Sequence, residues 1–209
     1  MSRVFPFPFT PEHTQHIRSR LQRDEVLAFP TETFYGLGGN AYSLEVVEQV
    51  FALKHRPVEK ALLVLVAPQQ MPELVVWNDP EVQRLTTEFW PGPLTVVLPA
   101  SPRVPDFLRG PDGTLAVRHS PSPVVRCLLE LGEVPLIGTS ANLSGQPSCR
   151  SAEEVMSQLG PELRTVVDGG LTQGATPSTL LSCVERPFRI LREGEIDREA
   201  LSRRGYTVQ

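Results

Sequence analysis

The 209-residue chain has few of the residues that mark specialised scaffolds. It holds three cysteines, Cys127, Cys149 and Cys183, and no CxxC pair. An odd, widely spaced set excludes a disulfide framework and a zinc site and fits a reducing compartment. The four histidines are scattered, so no metal triad is indicated. Long apolar runs are lacking: the longest, Ala61 to Ala67, falls well short of the roughly 20 residues that span a bilayer. The opening MSRVFPFPF is interrupted by Pro6 and Pro8 and so lacks the apolar stretch of a signal peptide. Positive charge is not in excess. Lys and Arg number 20 against 24 Asp and Glu, a net −4, which excludes a polybasic binder but leaves room for a local basic pocket. These absences predict a soluble cytoplasmic protein without a membrane partner.

What is present is globular. Apolar residues at 40% and charged residues at 21% argue against disorder. The 21 prolines are about twice the usual ~5% and follow no glycine period, so the chain is loop-rich rather than collagen-like. At roughly 150 residues per domain, residues 1–209 are expected to form one domain.

Helix and strand signals alternate. Thr10 with Pro11, Ser43, Asp79 with Pro80, Ser122 with Pro123, and Ser151 with Glu154 are helix starts. A last helix is expected near Arg198 to Arg204. Strands are predicted at Val26 to Pro30, Ala61 to Val66, Leu94 to Leu98, Leu115 to Val117, Val134 to Ile137, Thr165 to Val167, Thr179 to Cys183 and Phe188 to Leu191. The alternation predicts an α/β fold with a mixed sheet.

Four segments at strand or helix ends carry polar residues that a core would not want. Pro30 to Asn40 holds Thr31, Glu32, Thr33 and three glycines, which permit close backbone approach to a small polar ligand. It lacks both the Walker and the GxGxxG spacing, and a surface turn is the alternative. Lys54 to Lys60 places Lys54, Arg56 and Lys60 together, enough charge to neutralise a polyphosphate, or simply a solvated turn. Gly138 to Gly145 follows a strand. Its Thr139, Ser140 and Asn142 offer hydroxyl and amide donors to an anion or a base edge, or cap a helix. Ser140 has no His-Asp signature nearby and is not read as a nucleophile. Gly169 to Gly174, Ser178-Thr179 and the late Arg192 are fit to close a nucleotide site or to form hairpin turns. Arg118 ends a strand, where an arginine binds a carboxylate or phosphate, or forms a structural ion pair.

Taken in order, FPTETFYGLGGNA, KHRP with KALLVLV, FWPGPLTVVL, LAVRHS, SANLSGQPS, DGG, PST and ILREGEI resemble the YrdC-like family, the threonylcarbamoyl-adenylate synthases, from about Ala28 to Gly194. The resemblance implies a twisted mixed sheet with flanking helices around a concave basic cavity. It implies formation of threonylcarbamoyl-adenylate and pyrophosphate from ATP, L-threonine and bicarbonate, for N6-threonylcarbamoyladenosine in tRNA. Other proteins then transfer the group, and tRNA is a further partner. Its catalytic residues fall on Lys54, Arg56, Ser140 and Asn142. Lys54 and Arg56, with Lys60, are expected at the phosphates. Thr139, Ser140, Asn142, Ser178 and Arg192 are expected at the adenylate, and Thr31, Arg118 and Thr179 at threonine.

Mg²⁺ is expected to arrive with ATP, no dedicated carboxylate cage being visible. Glu32 is read either as a contact to that ion or as a loop cap. The chain departs from relatives at Ala61, at Leu65 where some carry His, in a late loop one residue longer, and at Cys183. It resembles the short bacterial form without an added C-terminal domain. Two other readings stand beside this one: a double-stranded RNA or tRNA-binding module, disfavoured by global acidity, and a carbamoyl-adenylate-forming paralogue, which relatives embed in larger chains with zinc segments.

Overall fold

In a computed structural model, residues 3–55, 62–110, 112–160 and 162–209 are described. The helices begin where the sequence supplies caps. They are α1 (Pro11–Gln22), α2 (Leu44–Lys54), α3 (Met71–Leu74), α4 (Pro80–Phe89), α5 (Pro123–Gly132), α6 (Ala152–Leu159) and α7 (Arg198–Arg203). Thr10, Ser43, Asp79, Ser122, Ser151 and Asp197 each accept a backbone N–H of the first turn. Such a cap stabilises a helix by about 0.5–2 kcal/mol. Proline opens α1, α4 and α5, where its missing N–H has no partner to lose. The end of α5 differs from expectation: Gly132 stays helical and Glu133 takes the left-handed conformation, at φ 57°. The expected termination near Gly132 holds, but a glycine does not make the cap.

The strands are β1 (Arg3–Pro6), β2 (Leu27–Pro30), β3 (Tyr35–Gly38), β4 (Leu63–Leu65), β5 (Leu94–Pro99), β6 (Thr114–Arg118), β7 (Leu136–Ile137), β8 (Thr139–Ser140), β9 (Thr165–Asp168), β10 (Thr179–Ser182) and β11 (Arg189–Arg192). They form two mixed sheets, ordered β1-β9-β2-β3-β8 and β11-β10-β5-β6-β4-β7. In the first, β1, β9 and β2 run parallel, and β3 and β8 join antiparallel. In the second, the β10–β5 and β6–β4 pairs are parallel and the rest antiparallel.

Three strands lie where the sequence shows none: β1, β3 and β8. Strand β3 reads Tyr-Gly-Leu-Gly, a poor strand former by propensity. Tertiary contact forms it. A Cβ on Gly38 would lie 1.7 Å from the carbonyl oxygen of Ile137, so only glycine lets β3 approach β7 this closely. Strand β8 follows β7 after one residue, Gly138, yet belongs to the other sheet. The chain therefore crosses between sheets at Gly138. A Cβ there would meet Leu65 at 2.6 Å, and Leu65 is itself fully buried.

Apolar side chains gather in two clusters. One joins Val46, Val47 and Val50 of α2 to Leu37, Val64, Val96 and Val117 of both sheets. The other sets Ile17 and Leu21 of α1 and Val125 and Leu128 of α5 against Phe5, Leu27 and Phe29. Each fully buried side chain of this kind contributes about 1.5–3 kcal/mol. No described helix is long and apolar enough to cross a membrane.

Two glycine substitutions separate close approach from simple helix propensity. Gly38→Ala should lose about 2–4 kcal/mol of stability, because the obstacle is backbone. Gly132→Ala meets only ordinary contacts of 3.5 Å or more and should be neutral or gain up to about 1 kcal/mol. Thermal unfolding of the two variants beside the wild type checks both signs.

Candidate active site

Where the sheets diverge they enclose a cavity of about 380 Å³. One sheet contributes Thr31 and Thr33 after β2, Tyr35 on β3, and Thr139 and Ser140 on β8. The other contributes Thr95 on β5, Thr114 and Arg118 on β6, and Arg192 on β11, with Ser178 just ahead of β10. Apolar lining comes from Leu63, Val97, Ala116 and Leu180. The wall is thus hydroxyl-rich over an apolar floor, with two guanidinium groups.

Arg118 is buried, its side chain 4% exposed. Burial pushes its pKa below the ordinary arginine value, Glu32 acts against that, and the charge of Arg192 lowers it further. Arg118 thus carries a buried charge with a second cation, Arg192, on the same cavity, an arrangement that an anion relieves. Glu32 Oε1 lies 3.5 Å from Arg118 Nε, and Ser120 donates its hydroxyl proton to the other carboxylate oxygen. Glu32 thus stands beside Arg118 as a countercharge, which a guanidinium buried this far needs. Arg192, at the exposed rim, donates to Ser178 O at 2.9 Å and to Ser178 Oγ at 3.4 Å. Ser178 Oγ in turn lies 2.9 Å from Thr95 Oγ1. Thr31 Oγ1 donates to Phe34 O at 2.7 Å and accepts from Thr33 N at 3.2 Å, so the opening loop is a tight hydroxyl-held turn.

Six residues expected at the site line this cavity: Thr31, Arg118, Thr139, Ser140, Ser178 and Arg192. Three others do not line it, and their polar groups are engaged in holding backbone. Lys54, the last residue of α2, is buried; its ammonium donates to Ser140 O, to Asn142 O at 2.8 Å and to Asn142 Oδ1 at 3.3 Å. Burying an ammonium needs such oxygens in place of water. Asn142 Nδ2 donates to Leu143 O and Gln146 O at 2.8 and 2.7 Å. Thr179 is fully buried, donates to Ile196 O, and accepts from the Gly194 and Ile196 amides at 3.1 and 3.0 Å. These three hold the loops beside the cavity through the bonds just given. Arg56 and Lys60 lie outside the described residues.

Thr33, of the opening loop, lines the cavity too, as do Tyr35, Thr95, Thr114 and Ser148, to which the sequence motifs assign no site role. Thr95 carried a signal, a fully buried hydroxyl inside an apolar strand. Tyr35 donates to Gly170 O at 2.8 Å, tying β3 to the double-glycine turn. Burial and nearby Asp168 push its phenol pKa up, so it stays a neutral donor. Leu65 packs beneath the crossover and is not in the cavity wall. Among the described residues no three His, Cys, Asp or Glu side chains group as metal ligands. Asp112 is a carboxylate on the cavity lining.

A family model covering the Sua5, YciO and YrdC proteins, described as "Telomere recombination", matches residues 19–194. The chain is similar to the threonylcarbamoyl-AMP synthase of Vibrio cholerae O1, 38% identical over 186 residues, covering 88% of this chain and 98% of that one. It is similar to the synthase of Pyrococcus abyssi at 37% over 184 residues, covering 88% of this chain. The chain spans about half the length of that relative and of the Bacillus subtilis one, 54% and 53%. Among solved structures, P. abyssi Sua5 complexed with L-threonine superposes with a TM-score of 0.91 at 32% identity, over 100% of this chain and 62% of that one. Escherichia coli YciO shares the fold, with a TM-score of 0.85 at 22% identity, over 96% and 99% of the two chains.

Lys54→Met should cost about 2–4 kcal/mol, because it strips hydrogen bonds from buried carbonyls. Amide exchange should rise in residues 139–146 and stay unchanged in β5. Hydrogen-exchange mass spectrometry reads both regions in one experiment.

Proposed function

The chain belongs to the Sua5/YciO/YrdC family, and from that premise we propose that it is a threonylcarbamoyl-AMP synthase. The supporting observation is the convergence of Arg118 and Arg192 with the hydroxyls of Thr31, Ser140 and Ser178 on one cavity between the sheets. The amine of L-threonine condenses with bicarbonate, losing water, to give a carbamate. A carbamate oxygen then attacks the α-phosphorus of ATP, and the bond to pyrophosphate breaks. Negative charge collects on phosphate oxygens, so fixed cations and aligned donors supply most of the acceleration.

The parts are assigned accordingly. Arg118, deep in the cavity beside Thr31, takes the threonine carboxylate as a forked donor. Arg192 at the rim, with Ser178, Thr139 and Ser140, holds the adenylate. Lys54 and Asn142 anchor the 140–142 segment, Lys54 toward the phosphates and Asn142 toward the adenylate, and Thr179 anchors the 194–196 turn on the threonine side. Arg56 and Lys60, on sequence grounds, meet the leaving pyrophosphate. Mg²⁺ comes as the ATP complex. A site presenting few carboxylates suits an ion that stays on phosphate oxygens and water. The product is a labile mixed anhydride, so in the cytoplasm it passes to transfer proteins that modify tRNA.

The test is incubation of the protein with ATP, Mg²⁺, L-threonine and labelled bicarbonate. The expected result is threonine-dependent pyrophosphate together with threonylcarbamoyl-adenylate detected by mass. A folded protein that binds ATP and makes neither product overturns the assignment. Arg56→Ala should lower synthesis at least about tenfold if it meets the leaving group, and full activity in that variant removes Arg56 from the phosphate site.

A further inference from the structure

Glu32 stands between two cavity-lining residues, Thr31 and Thr33, yet is not itself in the lining. Its carboxylate lies against Arg118 Nε at 3.5 Å, with side chains 15% and 4% exposed. Its second oxygen accepts the hydroxyl proton of Ser120. Ser120 is buried, and its oxygen also accepts Ser122 N at 3.2 Å. Ser122 Oγ donates to Pro30 O at 2.8 Å. Two hydroxyls thus staple residues 120–122 to residues 30–32. One end of this staple is the loop bearing Thr31, and the other begins two residues beyond Arg118.

The nearest approach of Glu32 is to Nε, an ion pair at 3.5 Å in which neither atom has a hydrogen-bond partner. A carboxylate at that edge restrains the guanidinium from one side by charge attraction, and the hydroxyl of Ser120 holds that carboxylate in place. Forked recognition of a carboxylate depends on the guanidinium plane being fixed, and side-chain donors are held this way by groups one layer back. We infer that Glu32 and Ser120 are positioning residues: they fix the Arg118 guanidinium for the substrate's carboxylate and touch no substrate themselves. This rests on the assignment of threonine's carboxylate to Arg118.

Two physical roles for Glu32 predict opposite signs. A countercharge alone competes with an incoming carboxylate, so neutralising it tightens binding. A positioning group, once neutralised, frees the guanidinium plane and weakens binding. Calorimetric titration of L-threonine and of L-threonine amide, which lacks the carboxylate, decides between them. In Glu32→Gln the affinity for L-threonine should fall about tenfold or more, as for other supporting partners. The affinity for the amide should change less than about twofold, so the preference for the acid collapses. Ser120→Ala should show the same pattern more weakly, and Ser120→Thr, which keeps the hydroxyl, should restore it.

Unchanged or tighter L-threonine binding in Glu32→Gln overturns the inference. So does an equal loss for acid and amide, which marks a purely structural role. If Glu32→Gln does not fold, the comparison of Ser120→Ala with Ser120→Thr decides in the same terms. A wild type that binds no L-threonine overturns the site assignment as well. Wild-type binding with insensitive variants overturns only the positioning role.

Discussion

Everything at this site depends on the chain crossing from one sheet to the other at Gly138. Strands β7 and β8 are separated by that one residue and lie in different sheets. The crossing is possible only because two neighbours give way. Gly38 lets a strand lie against the Ile137 carbonyl, and Gly138 lets the turn lie on Leu65. A side chain at Gly38 would drive into backbone, and one at Gly138 would have to displace the buried Leu65. The packing limit is steric and short-ranged, which is why two absent methyl groups set the geometry of a cavity of about 380 Å³.

The crossing also explains how the charges are arranged. The segment that leaves it, Thr139 to Asn142, passes over the end of α2, where Lys54 offers its ammonium to backbone and side-chain oxygens. The buried lysine thus converts a glycine-permitted turn into a fixed one. On the facing sheet Arg118 is just as buried and is balanced by Glu32. A desolvated cation needs compensation, and the two cations find it differently. Lys54 is compensated by loop oxygens and fixes the loop that carries them. Arg118 is compensated at one edge and keeps its place in the cavity wall. Arg192, held through Ser178, completes the pair of arginines on the cavity; burial chiefly, and the charge of Arg192 in addition, lower the pKa of Arg118.

Much of this was legible in the residues. Helix starts were marked by side chains that cap them, because a cap is a local hydrogen bond two or three residues long. The buried strands β5 and β6 were marked by apolar runs. The ordered loop motifs singled out Thr31, Arg118, Ser140, Ser178 and Arg192, and these five line one cavity. What was not legible shares one cause. Strand β3 carries two glycines in four residues, and β8 is two residues long. Neither has a period of its own, and both exist because a neighbour pairs with them. Lys54 and Thr179 carry the chemistry of ligands in sequence, and only their surroundings reveal that backbone oxygens and amides already engage them.

The sequence by itself determined the α/β class, the family, the element starts and the set of polar residues available for chemistry, since each of these follows from local pattern or ordered motif. The tertiary structure alone decided that the strands divide into two sheets, that the site lies between them, and which polar residues face the cavity rather than support its wall. The physical reason is that burial and partner choice are properties of pairs far apart in the chain. Glu32 meets Ser120 and Arg118, and Lys54 meets Ser140 and Asn142, only after the sheets have packed.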